Sequence, residues 1–286
     1  LYGLPDDVDK IDISFSNVKD VSELDLTRFT RVTSFICAHC DLKMLPKLPD
    51  TLLYLNCYAN CIEYLPKLPP NLISLNCSRN YLLFLPELPD KIEEVCCYQN
   101  RITKLPPLPD YLQYLYCGHN KLMVLPELPK SLIHLECSYN SIRKLPLLHF
   151  NLEHLKCDHN YIRVIPPLLS NVIYINCCGN LIRNLPYLPD SLREFYCLDN
   201  YVTEFFYPED EVGNIINIIN TINNFRQFYY YSKFKPQFKK WLWERVREPK
   251  IQHIYSPENV LRTLEEIQEE DGVTYDSIDR VLELLG

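Results

Sequence analysis

Apolar residues recur along this chain with a period of twenty. Leu55, Leu75, Val95, Leu115, Leu135, Leu155, Ile175 and Phe195 hold one position of the repeat. Cys37, Cys57, Cys77, Cys97, Cys117, Cys137, Cys157, Cys177 and Cys197 hold a second, and Asn60, Asn80, Asn100, Asn120, Asn140, Asn160, Asn180 and Asn200 a third. The frame reads L-x-x-L-x-C-x-x-N-x-I/L-x-x-L-P-x-L-P-x-x. A less regular unit at Val32, Phe35, Cys37, Cys40 and Leu42 precedes these, and another at Val8, Ile11, Ile13, Ser16 and Val18 stands at a longer, 24-residue spacing. The pattern counts ten repeats, ending near residues 201–206. Around Leu55 the alternation has period two, which predicts a strand over 53–57 with Leu55 and Cys57 inward and Tyr54 and Asn56 outward. One such unit cannot bury its apolar side, whereas stacked units bury a continuous core. The strands then form a parallel ladder with a spacing of about 4.8 Å. The L-P-x-L-P arm cannot be helix, because prolines three apart fix φ and remove donors. It is expected to run extended, in polyproline-II style.

After residue 206 the period changes. Ile215, Ile218, Ile219, Ile222 and Phe225 fall three and four apart, a helical stripe. Its simplest role is to cover the open edge of the last repeat. Pro236 is expected to end that helix, and 237–249 to form a second one, stopped by Pro249. Ser256 and Pro257 start a third, as N-cap and first-turn proline, and a fourth begins near Thr274. The second stretch is basic (Lys233, Lys235, Lys239, Lys240, Arg245, Arg247, Lys250) and the last two acidic (Glu265, Glu266, Glu269, Glu270, Asp271, Asp276, Asp279), so the two are expected to pair. The domains are thus a solenoid over 1–206 and a helical cap and tail over 207–286.

Six glycines and 22 prolines fit a proline-punctuated architecture. The net charge of −8 is a poor match to a phosphate backbone, so nucleic acid is not an expected partner. No apolar run is long enough to span a bilayer, so membrane is not one either. Thirteen cysteines raise disulfides and zinc. Nine of them share the inward column, where a free thiol acts as a small hydrophobe. In-register neighbours sit farther apart than the Cβ distance a disulfide needs, and a straight column does not converge on a metal. Cys40, in "CAHC", occupies the Asn slot. Cys96 and Cys178 are expected toward solvent and Cys61 in a turn. A reduced column suits a cytoplasmic setting. The Asn amides are expected to satisfy backbone groups of adjacent turns.

The frame matches the leucine-rich repeat signature with Cys in the third apolar slot. The resemblance implies an α/β solenoid: a horseshoe with a parallel sheet on its concave face, extended convex arms and a C-terminal helical cap. The short L-P-x-L-P arm, over residues 45 to about 200, resembles the leucine-rich repeats of bacterial type III secretion effectors of the IpaH and YopM kind. It departs from them at the cysteine. In that cysteine, and in its Asn-, Tyr- and Ile-rich style, the chain is similar to leucine-rich repeat proteins of giant DNA viruses of amoebae (mimivirus-like). Residues 231–264, with "EPKI" and "SPENVL", also resemble a short tail at the ends of many giant-virus proteins. These resemblances imply a host protein as partner and the host cytosol as location.

Function in a solenoid sits on the concave face. Its outward positions include Tyr54, Tyr114, Tyr116, His134, Glu136, His154, Lys156, Tyr174 and Tyr196, and these are the candidate protein-binding residues. Tyrosine offers a large rigid contact area at small entropic cost. The same tyrosines would also serve as cross-strand filler, and the pattern does not separate the two roles. His134, Glu136 and His154 raise zinc, but Glu136 and Lys156 are ladder neighbours expected to pair, so no metal or other cofactor is expected. No nucleophile elbow, P-loop, zincin or kinase motif occurs. "CLD" at 197–199 matches the C-x-D of IpaH-type ubiquitin ligases, but Cys197 belongs to the inward column. The expected function is a non-enzymatic, monomeric protein-binding module. The alternative is the substrate-recognition arm of a ubiquitin ligase, F-box or IpaH-like, whose recruiting or catalytic part lies outside this chain.

Overall fold

A computed structural model of the chain describes residues 5–16, 26–202 and 211–242, with side chains given up to residue 227. Ten strands of three residues follow one another: β1 (Lys10–Asp12), β2 (Ser34–Ile36), β3 (Tyr54–Asn56), β4 (Ser74–Asn76), β5 (Glu94–Cys96), β6 (Tyr114–Tyr116), β7 (His134–Glu136), β8 (His154–Lys156), β9 (Tyr174–Asn176) and β10 (Glu194–Tyr196). They form one parallel sheet in sequence order. From β2 onward each residue pairs with the one twenty further on, as Leu55 does with Leu75, and β1 pairs with β2 at the 24-residue offset. The ten repeats, the register and the parallel ladder are those the sequence pattern predicts. The strands are shorter than the five residues expected, although the backbone ladder runs past their ends, with Cys57 N–H donating to Asn76 at 2.8 Å and Ala59 N–H to Ser78 at 2.9 Å.

The core is a stack of equal layers. Leu52, Leu55, Cys57, Ile62, Leu65 and Leu68 are buried in one repeat, and their counterparts in the others form one continuous cluster with them. All nine column thiols are free and buried. Burial pushes the Cys57 and Cys97 thiols up to about 12, so they stay protonated and behave as small apolar groups. Cys61, Cys96 and Cys178 are half-buried rather than open to solvent. The Cys96 thiol lies 3.5 Å from Glu94 Oε1 on its own strand, so an outward position does not mean an exposed one. The arms from Ile62 to Leu72 and their counterparts contain no helix.

The asparagines tie each layer to the one before it. Asn80 Oδ1 accepts from Ile62 N–H at 3.0 Å. Its Nδ2 donates to the carbonyls of Cys57, Cys77 and Ser78 at 3.0, 3.1 and 3.2 Å. The Cys57 carbonyl also accepts from Asn60 at 3.0 Å, so it is held from both its own repeat and the next. Cys40 stands in this slot in the second repeat and imitates half of it: its thiol donates to Ile13 O at 3.0 Å and Ala38 O at 3.3 Å.

Just before each asparagine the backbone turns left-handed, a feature the sequence pattern does not reveal. Ala59, Arg79, Gln99, His119, Tyr139 and His159 all have φ between 51° and 58°, and Gly179 has 60°. For a residue with a Cβ this costs about 1–2 kcal/mol. Inter-repeat hydrogen bonds offset it: each of these seven residues donates its N–H to the next repeat, as Arg79 does to Tyr98 O at 2.8 Å, and at most of them the carbonyl also accepts from the preceding repeat, as Arg79 O does from Asn60 at 3.1 Å.

The chain divides into two compact units, Leu1–Asn223 and Asn224–Gly286. In the first, the opening turns of α1 (Val212–Leu242) join the core through Ile215, Ile216 and Ile219. Asn220 exchanges two hydrogen bonds with the Leu188 backbone, at 2.8 and 2.9 Å, and Asn223 donates to Leu185 O at 3.2 Å. These contacts make the start of α1 a cap on the last repeats. The buried stripe uses Ile216, whereas Ile222 is half-buried and Phe225 is 71% exposed. Pro236 does not end the helix, which runs through it to Leu242. An internal proline removes one backbone bond and crowds one carbonyl, and the good helix formers after it, Gln237, Lys239 and Lys240, carry the helix on. The third and fourth helices, and the pairing of basic with acidic stretches, lie outside the described residues.

Replacing Asn140 tests the amide ties. Its Oδ1 is the acceptor for the buried Leu122 N–H at 2.9 Å. Asn140→Ala should cost roughly 2–4 kcal/mol in urea unfolding. A loss below about 0.5 kcal/mol, the size of a neutral surface change, would mean the ties contribute little.

Candidate interaction face

A ladder in strict register lines its outward side chains up in rows across the strands. With strands about 4.8 Å apart, rings in adjacent repeats must stack or tilt against one another. From β6 to β10 they do so without a break. Tyr116 lies 4.8 Å from His134, His134 5.2 Å from His154 at an interplanar angle of 17°, His154 5.8 Å from Tyr174, and Tyr174 5.9 Å from Tyr196. Five of the nine candidate residues are thus brought into one ring-lined run, with Glu136 and Lys156 between them on β7 and β8. Tyr114 borders the run on β6, paired in register with Glu94 and His134. Tyr54 stands apart, 48% exposed and flanked by Ser34 and Ser74.

A second row follows the left-handed turns. Tyr98 packs on His119 at 4.8 Å, His119 on Tyr139 at 4.2 Å, and Tyr139 on His159 at 4.2 Å. It ends at Gly179, where an added Cβ would meet His159 Nδ1 at 2.8 Å. These residues follow the strands in the sequence frame, but nothing in their varied side chains signals the shared backbone turn that aligns them. The glycine at one such turn is the sole hint.

The polar groups of the face are incompletely satisfied. His134 Nε2 is buried and, among the described residues, is the one buried side-chain nitrogen or oxygen without a hydrogen-bond partner. Burial first, then His154 and Lys156, lowers the His134 pKa to about 4, so the ring is neutral at pH 7. Burial also raises the Glu136 carboxyl above its usual range, and Lys156 only partly opposes this. The expected Glu136–Lys156 ion pair does not form within 4 Å, although the two residues face each other in register. Lys156 Nζ instead lies over the Tyr174 ring at 5.6 Å, a cation–π contact that a rigid ladder places within reach. Among the described residues no group of three or more His, Cys, Asp or Glu is arranged to hold a metal. The His134 and His154 rings stack face to face, so their nitrogens do not converge. Among the same residues no helix is long and apolar enough to cross a membrane.

These features define a leucine-rich repeat solenoid. No protein-family model and no curated protein matches the chain. Among solved structures it is similar to YopM from Yersinia enterocolitica WA-314, with 29% identity and a TM-score of 0.63 over 72% of this chain and 50% of that one. It is also similar to YopM, a leucine-rich effector protein from Yersinia pestis, with 34% identity and a TM-score of 0.57 over 63% of this chain and 52% of that one. The chain therefore spans about half the length of each YopM. The Toll–Spatzle complex of Drosophila shares the fold alone, at 18% identity and a TM-score of 0.57 over 74% of this chain and 32% of that one. The similarity is thus to effector-type leucine-rich repeats, a class of interaction module.

The buried imidazole makes stability depend on pH with a definite sign. A histidine whose folded pKa is lowered binds more protons unfolded than folded, so stability falls with pH through the window between 6.5 and about 4. Glu136, with its raised carboxyl, works in the opposite direction over its own range. The difference between wild type and His134→Gln isolates the imidazole. In thermal unfolding across that window, wild type should lose more stability than the variant as pH falls. Parallel curves would show that His134 is not held neutral by the fold.

Proposed function

We propose that this chain is a non-enzymatic protein-interaction module that binds a partner protein on the concave side of its solenoid. The carrying observation is the unbroken ring run from Tyr116 to Tyr196 across five adjacent strands. Large amphipathic side chains on a rigid backbone make contact area without a heavy loss of rotamer freedom, and aromatic residues at the centre of a patch carry most binding energy in protein interfaces. Tyr114, Tyr116, His134, Glu136, His154, Lys156, Tyr174 and Tyr196 form the binding strip in this reading, with Tyr54 as an outlying contact. The likeness to effector repeats supports a host protein as the partner, and the reduced thiols support the host cytosol as the place. A giant-virus source rests on the cysteine frame and the tail. A ubiquitin-ligase arm would present its substrate on the same strip. Cys197 supplies no nucleophile for it, since it is 3% exposed within the core.

A pull-down from host-cell lysate tests the strip. Proteins retained by wild type should be lost with Tyr116→Ala/His134→Ala and kept with Tyr64→Ala, a change at an exposed tyrosine of an arm. An unchanged set with the double variant, or a set lost only with Tyr64→Ala, would move the interaction away from the sheet face.

A further inference from the structure

We propose that the strip takes a basic segment of its protein partner, with one guanidinium resting on the Tyr116 ring between the carboxylates of Glu94 and Glu136. This rests on the interaction reading above and adds the chemistry of the partner. On β2 to β10 the outward strand positions hold three glutamates, Glu94, Glu136 and Glu194, and one lysine, Lys156. That lysine lies over Tyr174 rather than against a carboxylate. No ion pair within 4 Å is made by Glu94 or Glu136 among the described residues.

The two carboxylates come from the strands on either side of β6: Glu136 on β7 faces Tyr116 in register, and Glu94 on β5 is in register with Tyr114, two residues before it. Glu94 is held on β5, with Oε2 accepting from Ser74 Oγ at 2.9 Å and Oε1 from the Cys96 thiol at 3.5 Å. Glu136 comes from β7 and leans over Gly118: a Cβ at Gly118 would meet Glu136 Oε1 at 3.2 Å and Tyr98 Cδ2 at 3.1 Å. The missing side chain at Gly118 thus lets Glu136 and the Tyr98 ring converge over Gly118, two residues beyond Tyr116 on the same face. Burial first, then Cys96, Glu94, Tyr114 and lastly Glu136, push the Tyr116 hydroxyl pKa up, so both glutamates reach it. Among the described residues the Glu136 side chain makes no hydrogen bond, and its half-buried carboxylate stays open to solvent, free to accept from a bound group. His134 Nε2, buried and unpartnered on a ring 4.8 Å from that of Tyr116, marks the same spot as incomplete.

Arginine fits this arrangement better than any other side chain. Its planar guanidinium carries five donors and no acceptor, pairs with carboxylates and stacks on aromatic faces. Lysine supplies the charge without the plane. The net charge of −8 adds a long-range attraction for a basic segment.

The test uses the full chain and a random dodecapeptide display library. Peptides selected on wild type should be enriched in Arg, and to a lesser degree in Lys, over the starting library. Synthetic copies should bind Glu94→Gln/Glu136→Gln about tenfold or more weakly, the loss expected when close charge pairs are removed, and replacing their Arg by citrulline should weaken binding to wild type by a similar factor. Selected peptides without basic enrichment, or ones binding the glutamine variant equally well, would overturn the cation anchor. If these same peptides still fail on Tyr116→Ala/His134→Ala, the interaction strip survives that result. If the peptides bind Tyr116→Ala/His134→Ala as well as wild type, the strip itself is refuted, and the anchor with it.

Discussion

The solenoid depends on one recurring polar contact: a cysteine carbonyl that accepts two side-chain amides. Cys57 O takes Asn60 and Asn80, and Cys77 O takes Asn80 and Asn100. Each asparagine also accepts a backbone N–H from the preceding repeat, as Asn160 does from Ile142 at 3.0 Å. The loop after each strand would otherwise bury backbone groups with nothing to pair with, at a cost of several kcal/mol per repeat. A single amide closes that deficit in two repeats at once, and it can do so only if neighbours keep the same offset. The strict twenty-residue period is the trace of that demand. Hydrophobic layers supply most of the driving force, but leucines alone would tolerate slippage, whereas a three-point amide contact does not.

Function inherits this rigidity. Since the register cannot slide, outward side chains form straight rows, and rings in adjacent repeats meet at 4.8–5.9 Å on the sheet face. The left-handed turns, strained for residues other than glycine, align a second row at their own spacing. The sheet face is therefore prearranged, and little side-chain freedom remains to be lost on binding. Its polar atoms are less complete than its packing: an unpaired imidazole nitrogen and an unpaired carboxylate lie beside Tyr116.

Much of this is legible in the residue pattern, because eight successive asparagines report the same constraint. The inward leucines and thiols, the amide column and the outward rows all follow from a period of twenty with local alternation. Backbone conformation without a residue signature does not follow. Ala59, Arg79, Gln99 and Tyr139 share a left-handed turn while sharing no chemistry. Choices among near-equal partners escape as well. Lys156 has both Glu136 and Tyr174 within reach of one strand spacing, and it lies over the ring. In α1, period alone ranks Ile222 and Phe225 with Ile215, but capping uses only the helix turns that reach the last repeats, and Ile216 enters the core in their place. Pro236 misleads because a breaker's cost is set against the residues that follow it.

Amide hydrogen exchange tests the account most directly. The N–H groups of Ile62, Leu82, Ile102, Leu122, Ile142, Ile162 and Ile182 lie in loops, outside every strand, and each donates to an asparagine side chain of the following repeat. If the amide column locks the stack, these seven should exchange as slowly as the strand amides of Leu75, Leu115 and Leu155, opening only with the solenoid itself. Exchange at the rate of unpaired loop amides, with the strands still protected, would show that the repeats are held together by apolar packing alone.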